Sequence, residues 1–116
     1  MPYTVTKTFK FEAAHSLPFL PEGHKCRNVH GHSYRFTVEV DGVLDSRGFV
    51  IDYAEISKAV NPIVEHLDHK NLNDLFPFKT TAENMAQWLY DVISVTIPIS
   101  RIIFYETAST SVVYSK

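Results

Sequence analysis

The chain is predicted to be an α+β sandwich, with an antiparallel four-stranded sheet and two helices on one of its faces. Three observations carry this. Two early segments, Tyr3 to Phe11 and Tyr34 to Val40, alternate apolar and polar residues with the period of a half-buried strand. Two central segments, starting at Asp52 and at Thr80, place apolar residues at helical spacing. Two closing segments, Ile102 to Ala108 and Ser111 to Tyr114, are short and rich in β-branched and aromatic residues. The order strand, strand, helix, helix, strand, strand has no linker, repeat or low-complexity stretch, so residues 1–116 are expected to form a single domain.

In the first strand Tyr3, Val5, Phe9 and Phe11 share one phase and Thr4, Thr6, Thr8 and Lys10 the other, with Lys7 the one break. Leu17 to Asn28 carries Pro18, Pro21 and Gly23 and reads as an irregular loop. The second strand puts Tyr34, Phe36, Val38 and Val40 on one face and Arg35, Thr37 and Glu39 on the other. Asp41-Gly42 and Ser46-Arg47-Gly48 are turn signals, and Phe49-Val50-Ile51 after them is a candidate extended piece. The first helix starts at Asp52, with Glu55 three residues on, and presents Ile56, Val60, Ile63, Val64 and Leu67. Pro62 inside it predicts a kink or break near Asn61. The second helix starts at Thr80-Thr81-Ala82-Glu83, presents Met85, Ala86, Leu89, Val92, Ile93 and Ile97, and is ended by Pro98.

A chain of 116 residues with 45% apolar and 21% charged residues has the composition of a soluble globular domain. Its 11 basic and 13 acidic residues leave a net charge of -2, so no positive field argues for nucleic acid or an anionic membrane, and a small-molecule partner is expected. No apolar run is long enough to span a bilayer and the first residues lack the apolar core of a secretion signal, which predicts a cytoplasmic protein. An open sheet leaves unpaired edge strands, and association between subunits is one way to cover them.

His30 and His32 lie two apart on the second strand, so both imidazoles leave the same face, in register with Tyr34 and Phe36. His15 ends the first strand in phase with Phe9, Phe11 and Ala13, and reaches that face if the two strands pair. Three neutral imidazoles are a common catalytic zinc arrangement that leaves a position open for water or substrate, although three unrelated histidines share the same spacing. Cys26, the one cysteine, cannot form an internal disulfide. It lies four residues before His30 between Lys25 and Arg27, where cations and a metal favour a reactive thiolate. A fourth ligand of a closed structural site and an inert packed thiol fit the same position. In Asp68-His69 the carboxylate can orient the imidazole for proton delivery, or the pair can be a helix-end feature. Glu106 is in phase with Ile102 and Phe104, and a carboxylate on an apolar face needs a partner. A ligand with adjacent N–H donors, such as a pterin or guanine, supplies one, as does an internal Arg or Lys. Thr80 and Thr81 are helix-capping residues that can also help hold a ligand.

Together, Phe11-Glu12-Ala13-Ala14-His15, Glu22-Gly23-His24-Lys25-Cys26 and His30-Gly31-His32-Ser33-Tyr34 resemble the 6-pyruvoyl-tetrahydropterin synthase superfamily. Further matches are Gly48 to Asp52, Leu67-Asp68-His69 with Leu72-Asn73, Thr80 to Asn84 and Glu106-Thr107, so the resemblance runs from about Phe9 to the end. The three-residue gap between Cys26 and His30 is similar to that of the bacterial 6-carboxytetrahydropterin synthases of the queuosine pathway. The pyruvoyl-forming members have a longer gap, and a related group has glutamate in place of the cysteine. The resemblance implies zinc (Zn2+) on His15, His30 and His32, Cys26 as base, Asp68 and His69 as proton relay, and Glu106 as pterin anchor. It implies conversion of 7,8-dihydroneopterin triphosphate to 6-carboxy-5,6,7,8-tetrahydropterin, acetaldehyde and triphosphate. It further implies the tunnelling fold, whose sheets join into a barrel, commonly a homohexamer. Active sites then lie between subunits, so that Glu106 and the zinc site would meet across an interface. The alternatives are a 6-pyruvoyl-tetrahydropterin synthase, a non-catalytic zinc-binding module closed by Cys26, and a pterin or purine carrier without chemistry.

Overall fold

A computed structural model describes residues 1–116. β1 (Tyr3–His15) and β2 (His30–Gly42) form an antiparallel ladder that runs from Tyr3 opposite Gly42 to His15 opposite His30. β2 pairs antiparallel with β4 (Arg101–Tyr105), and β4 with β5 (Ser111–Tyr114). On the other flank β3 (Lys70–Asn71) lies parallel to the end of β1, with Lys70 opposite Ala13 and Asn71 opposite Ala14. The sheet is therefore five-stranded and mixed, in the order β3-β1-β2-β4-β5, which corrects the expected four antiparallel strands. A two-residue strand is too short to show alternation. The chain beside it is held by local hydrogen bonds instead, since the His69 N–H donates to the Glu12 carbonyl at 2.6 Å and the Glu12 N–H to Asp68 Oδ1 at 2.8 Å.

Three helices follow from capping and apolar spacing: α1 (Tyr53–Leu67), the four-residue α2 (Leu72–Leu75) and α3 (Ala82–Ser94). Asp52 caps α1 by accepting the Ala54 N–H at 2.9 Å, and Thr81 caps α3 by accepting the Asn84 N–H at 3.3 Å. α1 runs through Pro62 as one helix, so of the kink or break expected near Asn61 the break does not occur. The proline and Lys58, whose carbonyl loses its donor, both face solvent, so water can take that bond. α3 stops at Ser94, ahead of Pro98, and Ile97 is buried from a following turn that its N–H closes on the Ile93 carbonyl at 3.1 Å. Phe49-Val50-Ile51 joins no strand. Asp45 folds this segment into a loop, its N–H donating to the Phe49 carbonyl at 2.8 Å and its Oδ1 accepting the Phe49 N–H at 3.0 Å.

One apolar cluster gathers Phe9, Phe11, Tyr34, Phe36 and Phe104 from the sheet with Ile56 and Val60 of α1 and Met85 and Leu89 of α3, so both long helices cover one sheet face. Each such side chain removed from water stabilises the fold by roughly 1.5–3 kcal/mol. The other face is polar and uncovered by helix: Thr8 and Thr37 share a hydrogen bond, and Arg101 pairs with Glu39 and Asp41. No helix is long and apolar enough to cross a membrane.

The chain leaving His15 is clamped by one side chain of α2. Asn73 Oδ1 accepts the Ser16 N–H at 2.9 Å and Asn73 Nδ2 donates to the Ser16 carbonyl at 3.0 Å. Truncation would strand both backbone groups in a half-buried site. N73A is expected to lower stability by about 1–3 kcal/mol in urea unfolding; an unchanged midpoint would show that water replaces the clamp.

Candidate active site

The β1–β2 register sets His15 directly opposite His30 and Ala13 opposite His32, so three imidazoles gather at the end of the ladder on the helix-covered face. Their ring centroids are 4.6, 4.8 and 5.1 Å apart, and one nitrogen from each lies within 4.8 Å of the other two. Backbone carbonyls fix two of the tautomers. A carbonyl can only accept, so His15 Nδ1 donates to the Thr80 carbonyl at 2.9 Å and His30 Nδ1 to the Asn28 carbonyl at 2.8 Å. Each Nε2 is then left with a lone pair. The Nε2 atoms of His15 and His32 are buried and have no hydrogen-bond partner. Burial holds the pKa of both rings below the ordinary histidine value, which keeps them neutral. Neutral imidazoles with converging lone pairs and carbonyl-fixed tautomers fit a divalent cation, and zinc accepts such a donor set.

Glu106 lies just past the end of β4, with Oε2 at 3.9 Å from His15 Nε2 and Oε1 at 3.9 Å from His32 Nε2. This corrects the expectation of a meeting across an interface: the carboxylate reaches the histidines within one chain. Cys26 sits in a 3-10 turn, Lys25–Arg27, in the loop between β1 and β2. Its N–H donates to His24 Nδ1 at 3.1 Å, its carbonyl accepts the Leu17 N–H at 2.8 Å, and Arg27 Nη1 ties the loop by donating to the carbonyls of Pro18 and Leu20 at 2.6 Å each. The half-buried thiol lines a cavity of about 450 Å³ with His30, His32, Glu106 and Thr107, but is not one of the three converging donors.

Asp68 and His69 lie elsewhere in the chain. Asp68 Oδ2 accepts from His69 Nδ1 at 2.8 Å while Oδ1 holds the Glu12 N–H, and these bonds, the backbone one foremost, keep its carboxyl below the usual range. His69 is exposed and has a positive φ of 59°, and it lines a second cavity of about 560 Å³ with Glu12, Gly31, Ser33 and His32, the last of which also lines the cavity of Cys26. Within one chain the pair therefore does not share the cavity of Cys26. Thr80 is buried with its carbonyl and hydroxyl against His15, and Thr81 caps α3; neither lines the cavity of Cys26.

The residues missed in the sequence are Tyr34 and the supports. Tyr34 stacks on Phe11 with centroids 4.9 Å apart and meets the His32 ring at 5.2 Å; its hydroxyl is buried without a partner. Burial and the Glu106 charge push its pKa up. Its phase, shared with His30 and His32, was the available signal. The support from Thr80, 65 residues from His15, left no local signal.

A mixed sheet covered on one face by helices, with a histidine triad that could hold a metal at the end of its longest ladder, defines a small α+β protein. The chain belongs to the 6-pyruvoyl tetrahydropterin synthase family, whose family model matches residues 4–116. It is 34% identical over 88 residues to a dihydroneopterin monophosphate aldolase of Pyrococcus furiosus, covering 76% of this chain and 72% of the relative. It is 39% identical over 95 residues to a 6-carboxy-5,6,7,8-tetrahydropterin synthase of Synechocystis, again covering 76% of this chain and 72% of the relative. The solved structure of Caenorhabditis elegans 6-pyruvoyl tetrahydropterin synthase superposes with a TM-score of 0.88 at 26% identity, over 98% of this chain and 95% of that one.

The depressed histidine pKa values have a consequence for the metal-free protein. The unfolded chain takes up protons that the buried rings refuse, so stability is expected to fall as pH drops below about 6.5 and to level off below the folded pKa values. Urea midpoints between about pH 7.5 and about pH 5 measure this. H15Q, which lacks one of the two rings, should lose less over that interval, and an equal loss would contradict the assignment.

Proposed function

We propose that this protein is a zinc enzyme that converts 7,8-dihydroneopterin triphosphate and water to 6-carboxy-5,6,7,8-tetrahydropterin, acetaldehyde and triphosphate. The observation that carries the reading is the cavity that Cys26 and Glu106 line with His30 and His32, two of the three converging histidines. The three-residue gap between Cys26 and His30 and the similarity to the Synechocystis relative support the carboxy product. Zinc held by His15, His30 and His32 would supply Lewis-acid polarisation of the substrate's side-chain hydroxyls.

The chain's own residues do the rest. Thr80 and Asn28 hold the ligand rings, so that the donor set needs no reorganisation on binding. Glu106 accepts two parallel N–H bonds from the pterin and fixes its orientation. Cys26, in the cavity but outside the donor group, removes a carbon-bound proton beside the polarised hydroxyl. His69, with Nδ1 engaged by Asp68, is left with Nε2 to deliver a proton.

Because His69 and Cys26 occupy different cavities of one chain, the relay is completed between subunits. An oligomer is supported by the open edges: β3 covers β1 at Ala13 and Ala14 alone, and β5 has no outer neighbour. In this reading sheets join into a barrel, commonly a hexamer, in the cytoplasm. Thr80 and Thr81 serve the site through His15 and the start of α3.

A second reading, a 6-pyruvoyl tetrahydropterin synthase, is favoured by the likeness to the C. elegans structure. One mass-spectrometric product assay separates the two. Zinc-loaded wild type should release acetaldehyde and carboxytetrahydropterin. C26A and H69A should each keep zinc and lose at least about a hundredfold in rate, the scale of a positioned acid or base. An equal mixture of the two variants, reassembled, should regain part of the activity. A pyruvoyl product moves the protein to the second reading, and loss of zinc from C26A makes the cysteine a ligand.

A further inference from the structure

The contacts of Glu106 contain an imbalance of charge. Both of its carboxylate oxygens face buried, unpartnered Nε2 atoms, those of His15 and His32, at 3.9 Å each, and that of His15 bears a lone pair. The two carboxylate oxygens and His15 Nε2 are all acceptors, and 3.9 Å is too long for a hydrogen bond to either ring. No Lys or Arg pairs with the carboxylate, and its salt-bridge partners are the two histidines. Facing acceptors repel unless a cation lies between them. Two ligands that each sit about 2.0–2.2 Å from one cation can be separated by up to about 4.2 Å, so 3.9 Å suits a carboxylate and an imidazole sharing a metal.

Glu106 also has freedom to leave. It follows the last residue of β4, where the β4–β5 ladder ends at Tyr105 opposite Ser111, and its side chain is 29% exposed. Neither Cys26 nor Glu106 is one of the three converging donors, but Glu106 stands 3.9 Å from two of them.

We propose that Glu106 is the resting fourth ligand of the metal, and that the pterin ring withdraws it. One carboxylate would thus close the metal when the cavity is empty and anchor the base when it is full. The two roles exclude each other. Base recognition would itself uncover the coordination position that the substrate hydroxyls then take, so a compound without the pterin edge would meet a closed metal. This rests on the anchoring role given to Glu106 above.

The probe is cobalt(II) in place of zinc, read by its visible absorption, with unsubstituted pterin as ligand. Pterin offers the N–H edge but no side-chain hydroxyl; direct chelation through its N5 and O4 would persist in E106Q at saturating pterin, whereas withdrawal of the carboxylate would not. Pterin is expected to change the cobalt spectrum of the wild type. E106Q should show a changed spectrum before any pterin is added and no further response, and should hold cobalt at least about tenfold more weakly against a chelator. If pterin binds the wild type, as followed by its fluorescence, and leaves the cobalt spectrum untouched, Glu106 is an anchor alone and the proposal is overturned while the enzyme reading stands. If pterin binds wild type and E106Q equally, the anchoring role fails and takes the proposal with it. The wild-type arm needs no variant to fold.

Discussion

The β1–β2 ladder is the constraint on which the rest depends. Its thirteen-residue strands place Phe9 opposite Phe36 and Phe11 opposite Tyr34, and the same register then brings His15 opposite His30. A slip of one residue would send every one of these side chains to the polar face. Core and donor set are thus fixed by a single pairing, and a register that buries the aromatics cannot fail to gather the histidines. Loop and cavity follow from it: the fourteen residues between the strands must turn back over the ladder's end, and in doing so they carry Cys26 to the rim.

Burial then turns geometry into chemistry. Tyr34 packs edge-on against His15 and His32 and is itself backed by Phe11 and Phe104, all three buried. Thr80 satisfies His15 on one side, and the Nε2 on the other side has no protein donor. Unpartnered polar atoms in a folded interior cost free energy and persist where something else binds them. Here the unpartnered atoms are neutral imidazole nitrogens facing a carboxylate, an arrangement that calls for a positive charge. The converging imidazoles and the carboxylate beside two of them could together hold a cation.

Much of this was legible in the sequence, for physical reasons that differ by residue. The histidines, Phe11 and Tyr34 share a period of two, and burial on one sheet face preserves it. The starts of α1 and α3 were readable because Asp52 and Thr81 cap them through local bonds. β3 was not, since two residues cannot show a period and its partner lies more than fifty residues away. The break expected at Pro62 did not occur because its cost is met by solvent on the exposed side of α1. The meeting of Glu106 with His15 and His32 was hidden for a related reason: phase gave its face, but its depth depends on the stagger of β4 against β2, which no local signal sets.

In the proposed enzyme a metal is held by three imidazoles, and Cys26 is held back from it. X-ray absorption at the zinc edge of the metal-loaded protein tests it most directly, because nitrogen and sulfur ligands differ in both distance and scattering strength. The account predicts nitrogen or oxygen neighbours alone, at about 2.0–2.2 Å, with the multiple scattering of imidazole rings. A sulfur neighbour at about 2.3 Å would place Cys26 on the metal and contradict it.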